Sequence, residues 1–248
     1  MSTGRHLTRD DQALKIAPLE NNVTQQKTRN AIRLAADIGG TFTDISAFDP
    51  ASGSLLFGKT LSTPEKLIDG IADAVVKAGT SFPEAEIFLH GSTISINTIL
   101  ERTGARTALL ITKGYRDIYE IGRVNRPDSY NLFFGKHEPL VERALRFEVN
   151  ERLYSEGTVY KPLDEQNVRE TCAKLREEGV ESVAILLLHC YANAAHELRV
   201  REIVEEELPG IFVSSSHELS QEYREFERCS TVVANAYIGP KVKGYISE

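Results

Sequence analysis

The chain has 248 residues, 41% of them hydrophobic, which suits one large α/β domain or two small ones and excludes disorder throughout. Its 29 basic and 36 acidic residues give a net charge of −7, which excludes a general positive field for nucleic acid or an anionic membrane. The three cysteines form no CxxC pair, so the sequence indicates neither a disulfide framework nor a zinc cluster. No apolar run reaches the ~20 residues of a membrane-spanning helix. We expect a cytoplasmic protein that acts on small molecules.

Residues 1–30 are polar and have no apolar stretch typical of a secretory signal. We expect them to form a disordered leader. Three short apolar-rich runs of strand length follow, "IRLAADI", "TDISAF" and "SLLFGKTL". The first helix is predicted in "STPEKLIDGIADAVVKAG", where Ser62 and Glu65 match a capping box, Pro64 suits the first turn and Gly79 ends the helix.

Strands and helices then alternate with short connections, which is typical of a parallel sheet. The sequence predicts a buried strand in "EIFLH", a helix in "TISINTILER" and a strand in "RTALLITK". "ALRFEVNERLYSEGTVYKPL" predicts a hairpin insertion near residues 144–163, with the one soft domain boundary near 140–155.

The last hundred residues continue the alternation. A helix capped by Asp164 is predicted in "LDEQNVRETCAKLREEG", with Cys172 on its apolar face as a core residue and not a nucleophile. "SVAILLLHC" predicts the most apolar strand, and His189 near its end has no indicated role. A second amphipathic helix in "NAAHELRVREIVEEELPG", a strand in "IFVSSS" and a helix starting in "CSTVVANAYIGPKVKGYISE" follow.

The stretch "DIGGTFTDISAFD", residues 37–49, carries the first candidate site. It has neither GxGxxG nor GxxxxGK[ST] spacing, and a strand follows it, so the loop joins two strands. A glycine loop of this kind can hold phosphate through backbone N–H groups. We expect Gly39, Gly40 and the Thr41 N–H to contact the β- and γ-phosphates of a nucleotide, with the hydroxyls of Thr41 and Thr43 as further donors.

A carboxylate beside bound phosphates can hold Mg²⁺, commonly through water. Asp37 is the first candidate, for metal binding and catalysis, and Asp44 is the second. The alternative is a hairpin turn with Gly-Gly at its centre and no ligand. Spacing alone favours neither.

A second motif, "HGSTISINT", follows the strand "EIFLH", so its polar residues emerge at the carboxyl end of that strand, where ligands sit in open α/β sheets. We expect His90 to transfer a proton or orient the substrate, and Ser92, Thr93 and Asn97 to contact the substrate. The structural alternatives are a satisfied strand-end histidine and a helix cap. Arg123 is a candidate for binding a substrate carboxylate or phosphate, against the alternative of a surface ion pair.

Four segments in order, "ADIGGTFTDI", "HGSTISINTILERTGARTALLITKGYRDIYEIGRVNRPD", "PLVERALRFEVNER" and "STVVANAYIGP", resemble the hydantoinase A and 5-oxoprolinase family. That family includes N-methylhydantoinase and the acetone carboxylase β-subunits. The resemblance covers about residues 33–240.

The resemblance implies an α/β fold of the actin-like ATPase (ribonuclease H-like) kind, with a mixed sheet, leading β-hairpins and flanking helices. It also implies ATP and Mg²⁺ as cofactors and supports the phosphate interpretation of the glycine loop. Members resembling oxoprolinase use ATP to open a cyclic amide, and those resembling acetone carboxylase use it to activate a ketone. The implied domains are an N-terminal actin-like domain over residues 31–213 and the start of a second domain over 214–248.

Family members are much longer, and their second actin-like half supplies the other phosphate loop and the adenosine pocket. We therefore expect this chain to be the N-terminal lobe, with the missing C-terminal half and a hydantoinase B-type subunit as partners. The expected function is ATP-dependent opening of a cyclic amide. The alternatives are a ketone carboxylase subunit and a non-catalytic assembly module, and a sugar kinase of the same fold fits the motifs less well.

Overall fold

The computed structural model describes residues 32–63, 66–123, 128, 130–135 and 138–247. The expected leader, and Pro64 and Glu65 of the expected capping box, lie outside these residues. The described helices are not long and apolar enough to cross a membrane.

The first sheet has four strands: β1 (Ile32–Ile38), β2 (Phe42–Asp49), β3 (Ser54–Leu61) and β4 (Ala85–Ser92). Their order is β3-β2-β1-β4, with β1 antiparallel to β2 and parallel to β4. Helix α1 (Leu67–Lys77) packs on one face because alternate side chains of the strands are apolar. This core buries Leu34, Ile38, Ile45, Ile71, Ala74 and Val75. The three leading strands before the first helix agree with the prediction.

The opposite face of this sheet is exposed, and β4 is not the buried strand that the sequence predicted. Ile87 is 44% exposed and Leu89 64% exposed. The reason is that β4 is an edge strand that α1 does not cover, since α1 packs mainly on β3 and β2. On the α1 side of β4, Phe88 is also 40% exposed. An apolar run indicates a strand, but coverage depends on what packs against it.

The second sheet is wholly parallel and contains β5 (Thr107–Thr112), β6 (Arg146–Val149), β9 (Ser182–Leu186) and β10 (Phe212–Ser215), in the order β10-β9-β5-β6. All residues of β5 and β9 are buried, so both faces of the sheet are covered. Helices α4 (Glu165–Glu177) and α5 (Ala195–Glu207) pack together on one face, and α7 (Glu225–Ser247) packs on the other. The Asp164 cap is confirmed, because its side chain accepts a hydrogen bond from the Asn167 N–H at 3.1 Å.

The predicted hairpin insertion is smaller than expected. Its first half, β6, belongs to the parallel sheet, and only β7 (Arg152–Leu153) and β8 (Val159–Lys161) form a hairpin. The remaining helices are α2 (Ile94–Leu100) and the single turns α3 (Ile118–Ile121) and α6 (Ser216–Leu219), with 3₁₀ turns at Phe82–Glu84 and Arg143–Leu145.

Along the chain, the boundary between the two hydrophobic cores lies between α2 and β5. The sequence had indicated a soft boundary near residues 140–155. Residues 214–247, expected to open a second domain, pack on the second sheet through β10 and α7. Helix α7 also joins the two halves, because the Tyr237 carbonyl accepts the Ala105 N–H at 2.9 Å and Lys241 Nζ donates to Thr103 Oγ1 at 3.1 Å. The α/β class with mixed sheet and flanking helices is confirmed, and it is consistent with an actin-like lobe.

Candidate functional site

The glycine loop, residues 39–41, connects β1 to β2 and is held by Ser62 at the end of β3. The Gly39 N–H donates to the Phe42 carbonyl at 2.9 Å and closes the hairpin. The Ser62 hydroxyl donates to the Gly39 carbonyl at 2.8 Å, and the Ser62 N–H donates to the Thr41 carbonyl at 2.9 Å. Ser62 therefore fixes the loop instead of capping a helix, and α1 begins at Leu67.

These bonds decide which loop amides are available to a ligand. The Gly39 N–H is occupied within the hairpin, so it does not agree with the expected phosphate contact. The N–H groups of Gly40 and Thr41 make no hydrogen bond within the described part of the chain. A Cβ on Gly40 would lie 2.9 Å from Asn97 Nδ2, so a larger residue there would force the end of the Asn97 side chain to move. The loop thus presents two adjacent donors and no side chain at its centre.

A cleft of about 240 Å³ lies between the loop, the end of β4, and helices α1, α2 and α7. It brings together four of the predicted site residues, Gly39, Gly40, Ser92 and Asn97. Glu101 and Lys241 also line it, and sequence reasoning missed both. Glu101 lies one helical turn after Asn97, a spacing that could have indicated it. Lys241 carried no such signal, because it reaches the cleft from α7.

Thr93 and Ser92 join α2 to the first sheet. The Thr93 N–H donates to the Ile38 carbonyl at 3.1 Å, and Thr93 Oγ1 accepts from Asn97 Nδ2 at 3.1 Å. Ser92 Oγ accepts from the Ile94 N–H at 3.2 Å. The bonds of Thr93 hold Asn97 against the glycine loop, so its position in the cleft is set by two elements.

Asp37 and Asp44 are direct neighbours across β1 and β2, on the exposed face of the sheet opposite α1. Neither lines the cleft. Lys59 on β3 pairs with Asp44 at 3.0 Å, whereas Asp37 has no ion-pair partner in the described part of the chain. Two like charges directly opposite are unfavourable, and Lys59 offsets the charge of Asp44.

Mg²⁺ fits these residues on the chemistry of its ligands. It usually keeps several waters and is held by one or two carboxylates together with phosphate oxygens. Asp37, exposed at the end of β1 and next to the glycine loop, provides such a carboxylate. The described residues contain no group of three His, Cys, Asp or Glu side chains that could hold a metal without a ligand's help.

Thr43 does not agree with its expected role. Its side chain is buried on the α1 side of β2, where Oγ1 lies 3.1 Å from Ser62 Oγ. The period of two in a strand puts Thr43 and the exposed Asp44 on opposite faces. The Thr43 hydroxyl therefore supports the loop from inside and does not face a ligand, whereas Thr41 is exposed at the loop.

His90 and Arg123 lie away from the cleft, each with a partner of its own. His90 Nε2 bonds the Tyr245 hydroxyl of α7, and its ring stacks on Phe88. Arg123 forms a two-point ion pair with Glu227, Nε to Oε1 at 2.7 Å, and both side chains are partly exposed. These contacts match the structural alternatives that the sequence left open for the two residues.

The three cysteines are free and buried. Burial raises the pKa of Cys172 to about 11, so it is a neutral thiol at neutral pH. Its place in the core agrees with the prediction.

Comparison with known proteins identifies a matching family and several similar enzymes. Residues 33–208 match the hydantoinase/oxoprolinase N-terminal region. The caprolactamase alpha subunit of Pseudomonas jessenii is 34% identical over 88% of this chain and 33% of its own length. The 5-oxoprolinase 1 of Arabidopsis thaliana is 29% identical over 87% of this chain and 19% of its own length.

Two solved structures share the fold. The ATP-dependent caprolactamase from Pseudomonas jessenii has a TM-score of 0.77 and 33% identity, covering 87% of this chain and 32% of that one. A nucleotide-free acetone carboxylase also has a TM-score of 0.77, with 28% identity over 88% of this chain and 33% of that one. The chain spans about a third of the length of the first curated relatives it matches. The family match over residues 33–208 agrees with the sequence resemblance, and the chain belongs to the hydantoinase/oxoprolinase family.

Proposed function

We propose that this chain is the phosphate-binding N-terminal lobe of an enzyme that opens a cyclic amide, of the hydantoin or 5-oxoproline type, at the expense of ATP. The observation that carries the proposal concerns the N–H groups of Gly40 and Thr41, which form no hydrogen bond with the residues that the structure describes. Ser62 holds the loop that carries them beside a cleft. Adjacent backbone donors of this kind suit phosphate oxygens.

The chemistry explains why such an enzyme needs ATP. An amide carbon is a poor electrophile because its resonance is strong, as the rotation barrier of ~18–20 kcal/mol indicates. Transfer of the γ-phosphoryl group from ATP to the amide oxygen, with release of ADP, would remove this resonance. Water would then add to the carbon, the C–N bond would break as the ring nitrogen takes a proton, and phosphate would leave from the oxygen. The lobe's part is to position the phosphates and neutralise their charge.

Each residue of the site has a proposed role. The N–H groups of Gly40 and Thr41 bind phosphate oxygens, and Asp37 holds Mg²⁺, commonly through water. Asn97 and Ser92 line the cleft, where they can donate hydrogen bonds to a substrate carbonyl. Lys241 adds a positive charge at the same cleft.

The remaining parts of the enzyme are proposed from its relatives. Because the chain covers about a third of them, the second half of the nucleotide site and the adenosine pocket are assigned to a further part of the enzyme. The names of the caprolactamase alpha subunit and the acetone carboxylase beta subunit indicate enzymes of several subunits. We propose a hydantoinase B-type subunit as partner.

The alternative is a ketone carboxylase subunit, which the structural similarity to acetone carboxylase favours. The two functions differ in how ATP is used. Release of AMP with two phosphates, dependent on bicarbonate, would favour the carboxylase, and release of ADP with one phosphate would favour the hydrolase. Absence of ATP turnover in the assembled enzyme would favour a non-catalytic module.

The first experiment is titration calorimetry of the purified chain with Mg-ATP. We expect binding that Gly40→Val weakens by at least about tenfold, since the side chain would block the approach of phosphate. Because that side chain would also meet Asn97, Gly40→Val is repeated in an Asn97→Ala background. Gly135→Val is the matched control, because a Cβ there has no atom within 4 Å. If Gly40→Val leaves the affinity for Mg-ATP unchanged in both backgrounds, the nucleotide does not bind at the glycine loop.

A further inference from the structure

The second sheet has its own topological switch point, between β5 and β9. The connection from β5 to β6 contains α3, which packs beside α7. Helices α4 and α5 make the connections to β9 and β10 on the other face. The chain therefore leaves β5 on one face and returns to β9 on the other. In open parallel sheets, ligands bind outside the carboxyl ends of the strands at such a point.

A cleft of about 710 Å³ lies at this end of the sheet. Lys113 directly follows β5, Arg152 follows β6, and His189 follows β9, and all three line the cleft. The β7–β8 hairpin forms one wall with Tyr154 and Tyr160, whose ring centroids are 5.1 Å apart, and with Lys161. The cleft is therefore made from three strand ends and the hairpin.

The charges in this cleft are unbalanced. Within the described chain, no carboxylate lies within 4.0 Å of the cationic nitrogens of Lys113, Arg152 or Lys161. The cleft's one acidic residue, Glu151, is buried and occupied, because it accepts from the Thr112 hydroxyl and lies 2.8 Å from His196 Nδ1.

Several arginines elsewhere on this half of the molecule are paired with carboxylates. Examples are Arg106, Arg143, Arg169, Arg199 and Arg201. The three cations of the cleft thus have no carboxylate partner among the described residues, in a chain whose net charge is −7. Arg152 also donates a hydrogen bond to the Tyr115 hydroxyl at 3.2 Å and lies over the Tyr115 ring.

His189 adds an independent observation, since it has a φ of +60° in the turn that follows β9. A residue other than glycine in this region is strained, and such strain concentrates at functional sites. Its Nδ1 lies 3.1 Å from the Tyr191 hydroxyl. Burial and the nearby Arg152 lower the pKa of His189, so the ring is neutral at neutral pH and can take part as a hydrogen-bonding group.

We propose that this cleft is a second ligand site, separate from the glycine loop, for a small organic anion. The carboxylate or phosphate of the anion binds Lys113, Lys161 and Arg152, and its apolar part lies against the two tyrosines. Carboxylate and phosphate ligands of this kind share an anionic oxygen group attached to a planar apolar ring.

The test is a titration of the ¹⁵N-labelled 248-residue chain, followed by amide chemical shifts. The probes are benzoate and phenyl phosphate, which differ in the anion, and benzyl alcohol, which has the same ring and no charge. We expect saturable shifts at Lys113, Gly157 and His189 with at least one of the two anions and none with benzyl alcohol. The probe that binds more tightly shows whether the site prefers a carboxylate or a phosphate.

Lys113→Gln with Lys161→Gln should weaken this binding about tenfold or more, since both cations are lost. Both side chains are exposed, so the dispersed spectrum should be retained. Lys174→Gln, an exposed lysine on α4, is the matched control and should leave binding unchanged. The proposal would be overturned if the double variant bound the anions as tightly as the wild-type chain. It would also be overturned if millimolar probe gave no saturable shifts, or if the shifts were confined to Gly40 and Thr41. The last outcome would leave the proposed function of the glycine loop intact.

Discussion

Thr43 and Thr41 are two residues apart in the glycine-loop segment, yet they have different surroundings. Thr43 is buried and bonded to Ser62, whereas Thr41 is exposed at the loop. The sequence predicted both hydroxyls as phosphate donors because it could not assign the buried face of a strand that carries threonines and aspartates on alternating sides.

Thr43→Val should therefore lower the free energy of unfolding by about 1 kcal/mol, because it removes a buried hydrogen bond. It should leave the affinity for Mg-ATP unchanged, as measured by urea unfolding and calorimetry. Thr41→Val, its matched control, should change stability by less than about 0.5 kcal/mol. A loss of ATP affinity in Thr43→Val at unchanged stability would instead place the hydroxyl at the ligand.

Glu197 is a second residue whose environment the sequence did not reveal, since its helix reads as amphipathic and charged. It is fully buried and bonds the Leu187 N–H, the Ser216 hydroxyl and both the N–H and Nδ1 of His217. Burial alone would raise the pKa of Glu197, but these bonds, led by that from His217, outweigh burial and hold it below the ordinary value. The hydrogen bond to Glu197 raises the pKa of His217.

These shifts predict a pH dependence of stability. The His217 contribution is fully present below its ordinary pKa of 6.5 and is lost as pH rises through the higher folded-state value. The Glu197 contribution is present above pH 4.5 and is lost as pH falls through the lower folded-state value. His217→Ala should cost about 3 kcal/mol at pH 6, and less at alkaline pH, in urea unfolding. A cost that does not decline at alkaline pH would mean that the pair is not charged.

At the level of secondary-structure elements, α7 is the helix that contacts both hydrophobic cores. Glycines allow its close contacts with neighbouring aromatic rings. A Cβ on Gly239 would lie 2.2 Å from the Phe212 ring of β10, and a Cβ on Gly104 would lie 2.2 Å from the Tyr237 ring. The helix was predicted from its apolar residues, but the closeness of these contacts depends on β10 and on the segment before β5.

Gly239→Ala and Gly244→Ala test this packing with the same change in one helix. Helix propensity alone favours alanine by about 0.5–1 kcal/mol at both positions. Gly244→Ala should be stabilising, because a Cβ there has no atom within 4 Å. Gly239→Ala should be destabilising by about 1–3 kcal/mol, because the Phe212 ring must move. If thermal unfolding shows that both variants are equally stabilised, the Phe212 ring can move without loss of stability.

At the scale of the whole molecule, the outer face of the first sheet carries exposed apolar side chains on β2, β3 and β4, interrupted by Asp37, Asp44 and Lys59. Cross-strand neighbours put Phe48 beside Leu55 and Phe42 beside Leu61 on this face. Phe57 is 69% exposed and Leu89 is 64% exposed on the same face. Apolar patches of this kind on soluble proteins mark interaction surfaces or lead to aggregation.

We expect the isolated chain to self-associate at micromolar concentration through this face, as measured by size-exclusion chromatography with light scattering. Phe57→Lys with Leu89→Lys should shift it toward the monomer, since charges disfavour burial of the face. Phe133→Lys, which places the same charge on an aromatic residue that is 96% exposed, is the control. A monomeric wild-type chain over the whole concentration range would contradict this expectation.

The secondary structure was predictable wherever the spacing of apolar residues or the residues at the ends of an element indicated it. Alternating apolar residues located β1, β2 and β3, and glycine and aspartate located the ends of α4. The division between the sheets was not predictable, because an apolar run such as β4 or β5 does not show which strand it pairs with. The exposure of β4 was not predictable either, because it depends on which helices pack against the sheet.

The sequence alone was enough for the α/β class and for the loop that joins two strands at Gly39 and Gly40, because these depend on residue spacing along the chain. The family followed from the resemblance of four motifs to known members, which the family match bears out. Only the tertiary structure decided that Lys241 of α7 enters the cleft beside Gly40, that Thr43 faces inward, and that a second cleft opens at His189. The physical reason is that these features depend on the packing of elements far apart in the chain, and no local pattern encodes which of them come together.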